Sequence, residues 1–269
     1  MLTDFLNLLY NDKNILLSIL TVALPILSSY GFETVILPSA ILSTHTSGFT
    51  NFTNLDLTIE MPKILDHWIS QNIKVDAIYT GYIGNCAQFD MILKAKEQLL
   101  NKGGILFVDP AMADNGVLYG PLDQSIVEGM MKICSVADYV IPNITEACFL
   151  TDTPYKECQD ENFYLDLVKK LHSLGARNVI LTGVSKDNQI GAIFSDGVVI
   201  KTVLKEKQTP NYHGTGDVFT SLIVSNLMNK VDIKKTLKIS TKFICDAIDL
   251  TKDDKSHSYG VKFETLLKK

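Results

Sequence analysis

Residues 105–114 read Ile-Leu-Phe-Val-Asp-Pro-Ala-Met-Ala-Asp, an apolar tetrad that stops at a polar Asp-Pro turn. Four apolar residues in a row, without alternation, suit a strand covered on both faces, as in parallel sheets. The pattern recurs along the chain. YVI at 139–141 stops at Pro142-Asn143, and NVIL at 178–181 stops at Thr182-Gly183. TVIL at 34–37 and AIY at 77–79 read as two further strands. Helical spacing predicts helices over 61–71, 89–101, 126–136, 163–174, 218–228 and 233–250, with Gly103-Gly104 closing the second. Residues 190–195 and 198–203 read as a hairpin around Asp196-Gly197. Strands alternating with helices predict an α/β fold, a single domain over residues 1–269. It has a mostly parallel central sheet with helices on both faces. Ligands on such sheets bind outside the carboxyl ends of the strands, so the polar residues after each strand are the first candidates for a site.

Composition narrows the field. The 269 residues are 46% hydrophobic and 20% charged, which are globular values. A net charge of −5 with scattered lysines excludes a general affinity for nucleic acid. Five cysteines (Cys86, Cys134, Cys148, Cys158 and Cys245) form no C-x-x-C pair, so they read as reduced cytoplasmic thiols, not a zinc site. Residues 14–32 carry no charge, which is nearly a membrane-spanning length. Pro25, Gly31 and several hydroxyl residues interrupt the stretch, and no basic segment precedes it. The expectation is a buried helix packed on the sheet and no membrane association.

Four motifs carry chemistry. His213-Gly214-Thr215-Gly216-Asp217 precedes a helix. A Gly-x-Gly turn lets backbone N–H groups converge, and the helix start adds its own unpaired N–H groups and positive dipole end. Gly214, Thr215 and Gly216 are therefore an expected anion hole, and Asp217 beside it an expected general base. A glycine loop with a capping aspartate would satisfy the same local pattern. The third glycine of a dinucleotide fingerprint is replaced by Phe219, and no G-x-x-x-x-G-K-[ST] occurs. Asp109 and Asp114 follow one strand, as hard-cation ligands do. Asn143 and Glu146 follow another, either as further contacts to metal-bound water or only as a helix cap. Thr182 follows a third, where its hydroxyl can meet a phosphate oxygen. An anion hole, a base and cation-binding carboxylates along one sheet edge point to phosphoryl transfer.

The order D-P-A-M-x-D, P-N-x-T-E, L-T-G and G-T-G-D resembles the ribokinase-like superfamily. The segments PSAILSTHT at 38–46, YTGYIG at 79–84 and YGVKFE at 259–264 resemble its pyridoxal kinase branch. The resemblance runs from about residue 20 to residue 264. It implies transfer of the ATP γ-phosphoryl group to the 5′-hydroxyl of pyridoxal, pyridoxine or pyridoxamine, with Mg²⁺, often K⁺, and a homodimer. It implies that Asp109, Asn143, Glu146 and Thr182 serve ATP, that Asp109, Asp114 and Glu146 serve the metal, and that Asp217 is the base. It also implies that Asp12, Thr46, Ser47 and Tyr82 contact the vitamer, with His45 shaping their loop. Residues 13–19 (KNILLSI) stand where family members carry a glycine-containing loop that lines the pyridine pocket, and residues 4–10 fall where the first strand is expected. Two alternatives accompany this reading. One is a hydroxymethylpyrimidine-type kinase. The other is a nucleotide-binding homologue whose catalysis is impaired by the altered 13–19 segment.

Overall fold

The computed structural model describes residues 14–17, 21–44, 51–120, 122–157, 159–210, 212–254, 257 and 260–267. An eight-stranded sheet is built from β1 (Asn14–Leu17), β2 (Glu33–Ile36), β5 (Val75–Thr80), β6 (Leu100–Val108), β9 (Tyr139–Val140), β10 (Asn178–Lys186), β11 (Gln189–Ser195) and β12 (Ile200–Glu206). The strand order is β12-β11-β10-β9-β6-β5-β1-β2. All pairings from β10 to β2 are parallel, and β11 and β12 extend the sheet antiparallel. Two small antiparallel hairpins sit apart: β3 (Ala40–Leu42) with β4 (Asn54–Asp56), and β7 (Ala113–Asp114) with β8 (Val117–Leu118).

The period of two along the strands divides the core between the sheet's two faces. Leu16, Ile78, Leu106, Val108, Val140, Val179 and Leu181 fall in one cluster, under α2 (Met61–Ser70), α3 (Ala87–Leu99), α4 (Gln124–Cys134), α5 (Ile144–Leu150) and α6 (Glu161–Ser173). Their alternate neighbours Ile15, Ala77, Tyr79, Phe107, Ile141 and Ile180 fall in the other, under α1 (Ala23–Ser29), α7 (Thr215–Met228) and α8 (Ile233–Thr251). The apolar tetrad at 105–108 is therefore covered on both sides, as its lack of alternation requires.

Three expectations are corrected. Residues 14–32 do not form one buried helix: Asn14–Leu17 is a strand and the helix runs from Ala23 to Ser29. The same strand takes the middle of the 13–19 segment expected to be a pocket loop. Ile15 and Leu16 are fully buried between parallel neighbours, a place that favours apolar residues over a glycine turn. Residues 4–10 lie outside the described residues. Gly103-Gly104 does not close a helix, because β6 begins at Leu100, directly after α3. Gly103 adopts φ +85° inside the strand, and a Cβ on Gly104 would come within 2.7 Å of the Leu100 side chain. Thr182-Gly183 does not follow a strand end either. The strand runs on to Lys186, with the register shifting between Thr182 and Val184 around Gly183 at φ +76°. No helix among the described residues is long and apolar enough to cross a membrane.

Candidate active site

The carboxyl edge of the parallel strands is stitched together by backbone bonds. Asp109 N–H donates to the Thr80 carbonyl at 3.0 Å, and Ile141 N–H to the Val108 carbonyl at 2.9 Å. Thr182 N–H donates to the Pro142 carbonyl at 2.9 Å, and its hydroxyl to the same oxygen at 3.2 Å. These bonds place Asp109, Asn143 and Thr182 side by side, although some forty residues separate each in the chain. The start of α7 completes the group. Gly214 caps the helix at φ +77°, a left-handed conformation that suits glycine, and the first helical bond runs from Val218 N–H to the Gly214 carbonyl. The N–H groups of Thr215, Gly216 and Asp217 thus precede the helix's own bonding and are available to an anion.

One cavity gathers most of these parts, with Gly214 and Thr215 outside its lining. Its lining includes Asp109, Asn143, Glu146, Thr182, Gly216 and Asp217, together with Ala111, Tyr119, Ile141 and Thr220. Asn143 and Glu146 hold each other in a reciprocal cap at the start of α5. The Asn143 side-chain oxygen accepts from Glu146 N–H at 2.9 Å, and Glu146 Oε2 accepts from Asn143 N–H at 2.8 Å. Glu146 Oε1 accepts from Met112 N–H at 3.2 Å, and the Asn143 amide donates to the Ala113 carbonyl at 2.8 Å. Both residues therefore fix the Asp109–Asp114 loop while facing the cavity.

The cavity is electrostatically unbalanced. Among the described residues it is lined by three carboxylates, those of Asp109, Glu146 and Asp217, and by no cationic side chain. Burial pushes the Asp109 carboxyl up to about 7, and the neighbouring Asp217 charge adds to the rise; bonds from Thr220 and Ala111 pull the other way. Burial also raises Asp217, to about 6. Glu146 is raised by burial and then by Asp109, against its backbone bonds. Tyr119 is raised by burial and by Glu146, Asp114, Asp109 and Asp217 in turn. Buried like charges of this kind call for a counter-cation. Among the described residues no group of three or more His, Cys, Asp or Glu could hold a metal alone. The donor set therefore suits a cation held by one or two carboxylates plus phosphate oxygens and water, the habit of Mg²⁺.

Not every expected residue lies here. Asp114 is outside the cavity lining, its two carboxylate oxygens accepting from Asn115 N–H at 2.8 Å and from the Asn115 amide at 3.1 Å. Tyr82 is also outside it, half-buried on the loop after β5, where a Cβ on Gly84 would come within 3.2 Å of its ring. Asp12, Thr46, Ser47 and His45 lie outside the described residues. Besides Ala111 and Ile141, two lining residues with a hydroxyl escaped the sequence reading. Thr220 could have been found, since it follows Asp217 by three positions on one helix face. Tyr119 offered no such signal. It reaches the cavity because its N–H donates to the Met112 carbonyl at 2.9 Å, which folds the β7–β8 hairpin back on the loop.

The profile of the family described as phosphomethylpyrimidine kinase matches residues 24–262. The fold superposes with a TM-score of 0.89 on a candidate phosphomethylpyrimidine kinase from Bacteroides thetaiotaomicron crystallised with pyridoxal. That protein is 32% identical, with 95% of this chain and 94% of that one covered. Pyridoxal kinase from Lactobacillus plantarum superposes with a TM-score of 0.85 at 28% identity, covering 96% of each chain. Among curated relatives, pyridoxine kinase of Bacillus subtilis is 28% identical over 187 residues, 67% of this chain and 66% of that one. The matched segment spans about two thirds of the length of the curated relatives.

Proposed function

The chain belongs to the phosphomethylpyrimidine kinase family, as a pyridoxal kinase-like member of the ribokinase-like superfamily, and from that premise we propose that it transfers the ATP γ-phosphoryl group to the 5′-hydroxymethyl of a B6 vitamer. The observation that carries this reading is the cavity itself. A helix start, a carboxylate beside it and two further buried carboxylates share one small space with no cationic side chain among the described residues.

In this reading the Asp217 carboxylate accepts the proton of the vitamer hydroxyl as that oxygen attacks the γ-phosphorus and ADP departs. The N–H groups of Gly214, Thr215 and Gly216 receive the charge that develops on the transferred group. Asp109 and Glu146 would hold Mg²⁺, directly or through water, and that ion supplies the charge neutralisation which lets a triphosphate enter an acidic cavity. Asn143 orients Glu146, and the Thr182 hydroxyl lies where a phosphate oxygen would pass. Asp114 stands further out, where it could meet only an outer water of the ion. Tyr82 and the residues between β3 and β4 would form the vitamer side.

A homodimer fits the surface. Ile41 and Leu55 face each other across the β3–β4 hairpin and are 55% and 58% exposed, with Ile59 at 75% close by. Free thiols at Cys86, Cys134, Cys148 and Cys245 fit a reducing cytoplasm. The family description and the Bacteroides relative favour a second reading, with a hydroxymethylpyrimidine as acceptor. The test is formation of pyridoxal 5′-phosphate by purified protein with ATP and Mg²⁺, beside kcat/KM on hydroxymethylpyrimidine. A higher kcat/KM on the pyrimidine selects the second reading. ATP binding with no product from either acceptor refutes both and leaves a nucleotide-binding homologue.

A further inference from the structure

The carboxamide of Gln88 is completely buried at the start of α3, in a place where nothing apolar requires it. Its Nε2 donates to the Ser39 carbonyl at 2.8 Å and to the Thr58 hydroxyl oxygen at 2.9 Å, with Asp56 Oδ1 at 3.3 Å sharing one N–H. Its Oε1 accepts from Gly84 N–H at 3.2 Å. Three separate pieces of chain meet on this one group: the segment entering β3, the segment leaving β4, and the loop after β5.

The surrounding bonds all run to the same three pieces. The Ser39 hydroxyl donates to the Tyr82 carbonyl at 2.9 Å, and the Ser39 carbonyl accepts also from Leu57 N–H at 3.1 Å. The Asn85 amide donates to Asp56 Oδ2 at 3.0 Å, and Thr58 N–H to Asp56 Oδ1 at 2.7 Å. The hydroxyl of Thr58 donates to Asp56, which leaves its lone pair free to accept from Gln88. Only a carboxamide satisfies this set, since it offers two donors and an acceptor at one end. A glutamate would set a second carboxylate against Asp56, and an aliphatic chain would leave Gly84 N–H and the Ser39 carbonyl with weaker partners.

We propose that Gln88 is a positioning residue that clamps the β3–β4 hairpin to the Tyr82–Asn85 loop and so sets the width of the acceptor side of the site. This rests on the kinase reading only for which ligand feels the clamp. The hairpin base and the Tyr82 loop lie at the carboxyl ends of β2 and β5, three and one places outward from β6, whose end carries Asp109. The side-chain hydrogen bonds of Gln88 run to Ser39, Asp56, Thr58 and Gly84, and not to the nucleotide side built on β6, β9, β10 and α7. Loss of the clamp is therefore felt by the acceptor and not by ATP.

The experiment compares wild type with Gln88→Met, which keeps the volume and removes the bonds, and with the milder surface change Thr58→Val. Two readouts are used: KM for pyridoxal against KM for ATP, and amide hydrogen exchange over peptides spanning 38–58 and 80–88. The expected result for Gln88→Met is a rise of about tenfold or more in KM for pyridoxal, KM for ATP within twofold, and exchange at least tenfold faster in those peptides alone. Thr58→Val shifts both readouts the same way by less. Equal rises in both KM values, or a lower melting temperature with both KM values unchanged, would overturn the proposal. If the wild-type protein phosphorylates no acceptor, the kinase reading fails and exchange alone decides the clamp. Unaltered exchange in Gln88→Met then overturns it.

Discussion

Replacing Asp109 by asparagine is expected to stabilise the protein at alkaline pH while it disables the nucleotide side. The Asp109 residue is 7% exposed, and its carboxyl is raised from the ordinary 3.8 to about 7, first by burial and then by Asp217. The unfolded chain, with its carboxyl near 3.8, loses the proton first as pH rises. Stability therefore falls between about pH 4 and pH 7 and stays low above that. At roughly 1.4 kcal/mol per pH unit, the rise corresponds to an upper bound of about 4 kcal/mol against the fold at pH 8. Asparagine carries no charge and keeps an oxygen for Ala111 N–H, which Asp109 Oδ1 accepts at 3.3 Å. Half the bound, about 2 kcal/mol, corresponds to a melting-point gain of roughly 4–8 °C for a domain near this size. Thermal melts of both proteins at pH 8, pH 6 and pH 4 supply the assay. The gain should be largest at pH 8 and shrink to a small remainder at pH 4, where the folded wild-type carboxyl is protonated and the unfolded one only about half ionised. Added Mg²⁺ and an unreactive ATP analogue should close the gap by stabilising wild type more than the variant. A gain of the same size at every pH, or a loss at pH 8, would refute the claim that an uncompensated buried charge sits at this position.

Three further outcomes follow from the site and the sheet. Asp217→Asn should lower kcat by about 10²–10⁴-fold, the usual contribution of a general base, with ATP affinity retained in calorimetry. In wild type, kcat/KM should fall as pH drops through about 6, where the half-buried Asp217 takes up its proton; a flat profile would point to another base. Gly191→Ala should be destabilising by roughly 1–3 kcal/mol or more, because its Cβ would lie 2.0 Å from the Val203 carbonyl oxygen across the β11–β12 pairing. Urea unfolding with an unchanged midpoint would contradict that contact.

Much of the fold was legible because its signals are local. The tetrad at 105–108 announces a doubly covered strand by its composition alone, and α7 and α8 show their helical spacing within a few turns. Boundaries were missed where a long-range partner overrode the local signal. Gly103-Gly104 reads as a helix stop, yet pairing with β5 draws residues 100–104 into β6. Thr182-Gly183 reads as a strand end, yet β11 pairs onward past the bulge. Asn14–Leu17 gave no sign of being a strand because its neighbours β5 and β2 come later in the chain.

The site divides in the same way. Sequence alone determined that Asp109, Asn143, Glu146 and Gly214–Asp217 each stand at an element end suited to phosphate or cation chemistry, because caps, glycine turns and strand ends are written in a few adjacent residues. Tertiary structure alone decided that three of the carboxylates share one cavity with no cationic side chain among the described residues, that Asp114 turns to Asn115 instead, and that Tyr119 and Thr220 help to complete the wall. It alone placed Gln88 between Ser39, Thr58 and Gly84. The reason is physical: strand order and register set which distant residues become neighbours, and burial then sets the charge state that those neighbours impose on one another.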